Sequence, residues 1–408
     1  MNYTQALNFI HSIPKFRRPL GNENLKKLLT HLGEPQKNLK FIHIAGTNGK
    51  GSTAAMTAKI LQKSGYKTGL FTSPFIEVFN ERIRINDEYI SNDDLAVYTK
   101  RVKTAMEKYN APVSEFAFIT ALAFLYFYEK KCDIVVLEVG MGGRLDATNI
   151  IENSLISVIC KISLDHTQYL GNTIEEIASE KCGIIRKNGT VIAYPNVTTD
   201  KIVTDYAKSL NADLIIADKA IKTDKGFVYK GKEYPLSLHG SYQAQNGAVV
   251  IEIIKILRNK GFNISDSDIN DGLKFTNWPA RFEFISDNIV IDGGHNIDGI
   301  TALKTSLDEL NKDIILVMAM MEDKDYEDCI RKIAPIAKAV VATQLEIPRC
   351  LDANAIYNIV DSMNIPCFVN TNPNEAVYKA LNLAQDGIVC VCGSLYLAGE
   401  IRKNFKKQ

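Results

Sequence analysis

Long hydrophobic runs are missing from this 408-residue chain: no stretch approaches the roughly 18 apolar residues that span a bilayer. No membrane partner is expected. Charge of one sign is missing too. Lys and Arg number 48 against 47 Asp and Glu, a net +1, so there is no general attraction for nucleic acid. The eight cysteines include no Cys-x-x-Cys pair, and neither a zinc site nor a disulfide framework is signalled. Cys132, Cys160, Cys367, Cys390 and Cys392 sit in or beside apolar segments, as free thiols of a reducing cytosol do. The opening MNYTQALNFIHSIPKF lacks a signal-peptide core, and the expected location is cytoplasmic. Repeats and low-complexity segments are absent. Lys403, Lys406 and Lys407 read as a solvated helix end.

What is present is an ordinary globular composition, 46% hydrophobic and 23% charged, with length for two or three domains. Apolar runs at 41–45, 67–71, 133–139, 155–160, 190–193 and 213–217 alternate with helical stretches. Several are continuous, as in Ile134-Val135-Val136-Leu137, which predicts strands buried on both faces of a parallel sheet. Residues 92–109 and 114–130 read as helices, the second apolar nearly all round, and 226–238 as a short hairpin. A second α/β series follows Asn277-Trp278-Pro279, with strands at 282–285, 288–292, 313–319, 338–343, 366–369 and 387–392. The expected domains are 1–279 and 280–408, with a ligand in a cleft between them.

The chemistry gathers where strands end, as it does in open α/β sheets. After the first strand comes Gly46-Thr47-Asn48-Gly49-Lys50-Gly51-Ser52. It fails the usual G-x-x-x-x-G-K-[ST] pattern: Ile44 replaces the first glycine and Gly51 the hydroxyl residue. Still, its glycines let N–H groups converge, a helix from about Ser52 adds its positive end, and Lys50 can reach a phosphate. A Gly-rich turn with a solvated lysine is the bland alternative. Thr72-Ser73-Pro74-Phe75 follows the second strand. Glu138 lies in a very apolar strand where a lone carboxylate is costly; Mg²⁺ beside a phosphate loop, or an ion pair with Arg144 or Lys181, would offset that. His166, in Ser163-Leu164-Asp165-His166-Thr167, is a metal ligand or a capping histidine. By pattern alone Lys181, after Glu180, is a surface lysine. The amides in His239–Asn246 read a heterocycle edge or cap a helix. Arg281 clamps a phosphate or forms a fixed ion pair.

Taken in order, GTNGKGS (46–52), TSPF (72–75), ERIRIN (81–86), LEVGMGGRLDATN (137–149), LDHTQYLG (164–171), EKCGI (180–184), HGSYQAQN (239–246), WPARFE (278–283), DGGHN (292–296), MMEDKD (320–325) and GSLYLAGEIR (393–402) resemble the folylpolyglutamate synthase and dihydrofolate synthase family, a branch of the Mur ligase superfamily. The resemblance implies an α/β protein with a large N-terminal P-loop-type, parallel-sheet ATPase domain. A smaller Rossmann-like glutamate-ligase domain follows, with the active site in the interdomain cleft. It implies ATP-dependent activation of a carboxylate to an acyl phosphate, then attack by the amine of L-glutamate. Gly49, Lys50, Gly51 and Ser52 would hold the ATP phosphates. Asn246 would contact the adenine end, Arg281 a phosphate and Asp292 the ribose. Ser73, Glu138 and His166 would be Mg²⁺ ligands, and a carbamylated Lys181 would support a second Mg²⁺. His295 would lie near the transfer site, and Phe116, Leu145 and Asp146 on the folate or pteroate side. The implied partners are a reduced folate or dihydropteroate, glutamate and ATP, and the implied state is a monomer.

The chain departs from the family at Phe75, where His is frequent; at Ala117, where Glu is usual; and at Gly294, where Ala is commoner. The competing expectations are a dihydrofolate synthase acting on dihydropteroate and a cell-wall Mur ligase. The latter would carry a UDP-binding domain before the ATP loop, and 45 residues precede Gly46. A third is a non-catalytic nucleotide-binding regulator, against which Lys50, Glu138 and His166 are all present.

Overall fold

In the computed structural model, which describes residues 1–15 and 21–405, the chain forms two units. One comprises Met1–Ile162, Thr167–Ser237 and Ala244–Thr276. The other comprises Ser163–His166, Leu238–Gln243 and Asn277–Gln408. Lys406 and Lys407 lie outside the described residues.

The first unit is built on β1 (Phe41–Ala45), β2 (Thr68–Phe71), β3 (Ile83–Ile85), β4 (Glu88–Tyr89), β5 (Ile134–Glu138), β6 (Ile156–Ile159), β7 (Thr190–Ala193) and β8 (Asp213–Ile216). They form one sheet in the order β4-β3-β2-β5-β1-β6-β7-β8. β3 and β4 run antiparallel at one edge and the other pairs are parallel. Every residue of β1 and β5 is buried, as continuous apolar runs require when helices cover both faces. The helices are α1 (Tyr3–Ser12), α2 (Glu23–His31), α3 (Lys50–Lys63), α4 (Asn92–Lys108), α5 (Glu115–Glu129), α6 (Thr167–Leu170), α7 (Ile174–Cys182), α8 (Asp200–Ser209), α9 (Gln243–Asn259) and α10 (Asp266–Lys274). The hairpin expected at 226–238 is part of a three-stranded antiparallel sheet: β9 (Ile221–Thr223), β10 (Gly226–Tyr229) and β11 (Lys232–Pro235).

From β1 the chain first runs to one side, through β2 and its edge strands, and returns to β5. It then crosses to β6 on the other side of β1. β1 therefore lies where the winding reverses, and the loops after β1, β5 and β6 open onto that point. α5 is held by an end cap, Ser114 accepting from the Ala117 N–H, and its all-round apolarity is matched by burial of Phe118, Phe124 and Phe127.

The second unit has β12 (Glu283–Ser286), β13 (Ile289–Ile291), β14 (Ile314–Met318), β15 (Ala337–Ala342), β16 (Cys367–Val369) and β17 (Ile388–Cys392). Their order is β12-β13-β17-β14-β15-β16; only β12 runs antiparallel to its neighbour. The helices are α11 (Ile297–Asp308), α12 (Tyr326–Ile333), α13 (Ala353–Asp361), α14 (Pro373–Ala384) and α15 (Leu395–Phe405). Cys390 and Cys392 both enter one apolar cluster, as their alternation on a strand predicts, and all eight thiols are free. No described helix is long and apolar enough to cross a membrane.

Phe124 is fully buried and its ring centroid lies 5.3 Å from that of Phe41 on β1. Phe124→Ala is expected to cost about 3–5 kcal/mol. Urea unfolding would show this, with turnover per folded molecule retained; an unchanged midpoint would contradict the packing.

Candidate active site

The loop after β1 is set by close approach. Gly46 (φ +151°) has no room for a side chain: a Cβ there would lie 2.6 Å from the Cys160 Cβ. Thr47 and Asn48 donate their N–H groups to the Lys161 carbonyl at 2.8 and 3.1 Å. Those two amides therefore brace the loop against the end of β6. α3 begins at Lys50, with Gly49 (φ +86°) as its cap. That is two residues before the expected Ser52. The N–H groups of its first turn and the positive end of its dipole face out of the helix there. Asn246, on α9, brings its Oδ1 within 2.7 Å of where a Gly49 Cβ would stand.

Two lysines meet at this loop. Lys50 donates to the carbonyls of Gly46 and Thr47 at 3.0 and 3.2 Å. Lys181 donates to the same Gly46 carbonyl at 3.1 Å. Lys181 is only 4% exposed, which corrects the surface reading that its neighbours in the chain invite. Gly143 makes this possible, because a Cβ there would lie 2.9 Å from the Lys181 Cα. Glu138, at the end of β5, is also buried, and its Oε2 accepts from the Ser73 N–H at 3.0 Å. Arg144, one of its candidate partners, pairs instead with Glu180 at 2.6 Å. Burial pushes the Cys160 thiol up to about 11; its bond to Thr53 opposes this, and the charges of Lys50, Glu138 and Lys181 all act on it. These groups are therefore neighbours. A buried carboxylate and a serine hydroxyl next to a phosphate-type loop are the hard oxygen donors that Mg²⁺ takes along with phosphate oxygens and water. No group of three or more His, Cys, Asp and Glu side chains suited to a metal occurs among the described residues.

Beyond β5, Asp146 is an organiser of backbone. It accepts from the Met141 N–H, the Thr148 N–H and the Thr148 hydroxyl at 2.9, 2.9 and 2.6 Å. Burial raises its pKa and these bonds oppose the rise. Phe116 packs over Gly140, where a Cβ would meet its ring at 2.6 Å, and Leu145 is exposed. Behind Asp146 stands His43 of β1, with Nε2 2.9 Å from the Thr148 Oγ1. The Thr148 proton goes to Asp146, so His43 must donate, and the network assigns its Nε2–H tautomer. Its Nδ1 is buried without a partner.

In the second unit, Asp292 accepts from the Tyr242 hydroxyl (3.0 Å), the Phe282 N–H (2.8 Å) and the Gly294 N–H (2.7 Å). Burial raises its pKa, against the nearby Arg281 charge and those bonds. His295 places Nδ1 2.8 Å from the Gly293 carbonyl and Nε2 3.7 Å from Asp165. Asp165 also takes Lys324 at 2.6 Å and Asn296 at 3.1 Å. Burial opposes ionisation of Asp165, but His295, Lys324 and His166 outweigh it and hold the carboxyl well below the usual range. His166 follows with φ +52°, a rare conformation for a residue with a side chain, and its N–H bonds Asp165 at 2.8 Å.

Ser73, Glu138, Lys50, Lys181 and Asn246 thus gather in the first unit, and Arg281, Asp292, His295 and His166 in the second. Sequence reasoning gave no role to Lys324, Tyr242 or Asn296. Lys324 stands among acidic residues in MMEDKD, and its side chain is 10% exposed.

A two-unit α/β fold with a glycine-rich loop between strand and helix, a buried lysine and a buried acidic residue is that of a nucleotide-using ligase. The Mur ligase middle domain matches residues 44–254, and the Mur ligase, glutamate ligase domain matches residues 280–395. Such ligases form amide bonds with ATP. The chain is 34% identical to the dihydrofolate synthase/folylpolyglutamate synthase of Bacillus subtilis, over 99% of each chain. It is 35% identical to the folylpolyglutamate synthase of Lacticaseibacillus casei, over 99% of this chain and 98% of that one. The solved structure of E. coli FolC in complex with DHPP and ADP matches with a TM-score of 0.89 and 26% identity, over 99% and 97% of the two chains. The chain belongs to the folylpolyglutamate synthase/dihydrofolate synthase family.

Burial holds His43 neutral, its pKa well below the ordinary value, with the Arg186 charge acting the same way. The unfolded chain takes up this proton below about pH 6.5 and the folded one does not. Stability from this group is therefore present above that pH and is lost as pH falls, by at most ~1.4 kcal/mol per pH unit. His43→Gln keeps a donor toward Thr148 and should flatten that loss in urea midpoints taken between about pH 7.5 and 5; parallel slopes for both proteins would contradict it.

Proposed function

We propose that this chain joins L-glutamate to a carboxylate of a reduced folate at the expense of ATP. The carboxylate takes the terminal phosphoryl group and ADP leaves. The glutamate amine then attacks the acyl carbon, phosphate departs, and the amine gives up a proton. The observation that carries this reading is the convergence of Lys50 and Lys181 on the Gly46 carbonyl, beside the Glu138–Ser73 contact. Such a site sets the Lys50 charge, the start of α3 and buried groups suited to Mg²⁺ around a polyphosphate whose transfer is helped mostly by electrostatics.

Lys50 and the start of α3, with Gly49, Gly51 and Ser52, bind the phosphates. Asn246 acts at the nucleotide, Arg281 binds a phosphate and Asp292 binds the ribose. His295 serves the transfer step, while Phe116, Leu145 and Asp146 serve the folate or pteroate side. Residues 1–279 form the ATP-binding domain and 280–408 the glutamate-ligase domain. Mg²⁺ would be held by Ser73, Glu138 and His166, with a second ion on a carbamylated Lys181, and would supply neutralisation of phosphate charge. Carbamylation also fits the electrostatics: two ammonium groups on one carbonyl repel, and a carbamate reverses the sign of one. Dihydropteroate is a second acceptor to consider, since the Bacillus subtilis relative is named for both activities. The free thiols accord with a cytoplasmic enzyme, which we take to act as a monomer.

ADP release with Mg²⁺ and glutamate, comparing 5,10-methylenetetrahydrofolate with dihydropteroate, tests the reading. Turnover with the folate is expected, and no amide product from either acceptor would overturn it. Lys181→Ala should lose most activity and regain part of it with a small added carboxylate; full activity without the additive would refute the role given to Lys181.

A further inference from the structure

Arg281 occupies an unusual piece of backbone. Ala280 before it and Phe282 after it both have left-handed torsions, φ +54° and +51°. Neither is glycine, and for a bulky aromatic this conformation is a true outlier. Strain of this kind persists only where the surroundings over-determine it, and it gathers at functional positions.

The surroundings here can be named. The Ala280 N–H donates to the Glu283 Oε2 at 2.9 Å. The Ala280 carbonyl accepts from the Gly293 N–H at 2.9 Å and from the Arg281 Nη1 at 3.0 Å. The Phe282 N–H donates to Asp292. Asp292 and Gly293 belong to the DGGHN loop already described, and Glu283 is the remaining anchor. Its carboxylate is held in turn by Arg402, whose Nε lies 3.1 Å from Oε1 and 2.9 Å from Oε2. Both side chains are 12% exposed, so solvent does not loosen the pair as it would at the surface. Arg402 comes from the last turn of α15, more than a hundred residues away in sequence.

We propose that Glu283 and Arg402 are positioning residues for the ligase reaction: their ion pair holds the Ala280–Phe282 turn and so fixes the direction in which Arg281 presents its guanidinium to phosphate. This rests on the reading of Arg281 as the phosphate-binding arginine. The pair does what a merely structural ion pair need not do. The oxygen nearest Arg402 also takes the N–H of the strained residue next to Arg281. Losing Arg402 frees Glu283 to turn toward solvent, and Ala280 loses the acceptor that keeps it left-handed.

The test is a double-mutant cycle on the full chain, read as ADP release with ATP, glutamate and 5,10-methylenetetrahydrofolate. Arg281→Ala alone is expected to lower kcat/KM for ATP about a hundredfold, and Arg402→Met about tenfold. The double variant should fall no further than Arg281→Ala, because Arg402 acts only through Arg281. Arg402→Lys, which keeps the charge, should recover most of the loss. If Arg402→Met does not fold, Glu283→Gln takes its place in the same cycle. Losses that multiply in the double variant, or wild-type activity in Arg402→Met, would overturn the positioning role while leaving Arg281 its own. Wild-type kinetics in Arg281→Ala would overturn both, and no turnover by the wild-type chain would sink the functional reading itself.

Discussion

Two ammonium groups bound to one carbonyl oxygen is the constraint on which the first unit depends. Lys50 and Lys181 come from helices far apart in sequence and meet on Gly46. Two like charges held on one oxygen repel, so the arrangement favours negative charge close by. Glu138 supplies one charge, and a bound polyphosphate would supply more. The geometry in turn demands that Gly46 carry no side chain, since Cys160 of the neighbouring strand end fills that space. It demands that α7 come close enough for Lys181 to reach, which Gly143 permits. Charge, loop and helix packing are thus three views of one requirement.

The two units solve the problem of shaping a loop in the same way. Each uses a nearly buried aspartate whose side chain accepts from the N–H two residues further on: Asp146 from Thr148, and Asp292 from Gly294. Both also take bonds from more distant groups, the Met141 N–H in one case and the Tyr242 hydroxyl in the other. Burial raises both pKa values, yet several donors aimed at each carboxylate favour the charged form. Such a side chain gives a loop the rigidity that strands and helices have from their own ladders. That matters where a ligand must meet fixed groups instead of waiting for them to arrange themselves.

The strands were legible because their burial is written in consecutive residues. Ile134 to Leu137 read as a two-sided strand and form one, and the second α/β series after Trp278 emerges with its strands within a residue or two of where the apolar runs lie. The positions of chemical clusters at strand ends were legible for the same reason. What was not legible depends on pairs distant in sequence. Lys181 follows a glutamate on an ordinary amphipathic helix, and nothing local distinguishes it from a solvated lysine. Its burial follows from GGR and EKCG interlocking, Gly143 against Lys181 and Gly183 against the Arg144 Cβ. Lys324 escaped for a like reason, since Asp165 lies far from it in the chain. The anchoring of the Thr47 and Asn48 amides on the Lys161 carbonyl is likewise a contact between residues distant in the chain.

Charged pairs in such a protein cannot be weighed by counting them. Arg144–Glu180 is a short Arg–Glu contact, at 2.6 Å, but its arginine side chain is 55% exposed. Water and salt screen it, and exposed pairs of this kind contribute about 0–1 kcal/mol. Arg402–Glu283 is longer, at 2.9 Å, and both partners are 12% exposed. There the cost of removing one partner is the cost of stranding the other, roughly 3–5 kcal/mol for a fully buried pair. The second pair also spends its geometry on something other than itself, because the carboxylate holds a backbone N–H next to Arg281. Depth of burial and the extra acceptor, more than contact distance, separate an ion pair that decorates the surface from one that the shape of a functional loop depends on.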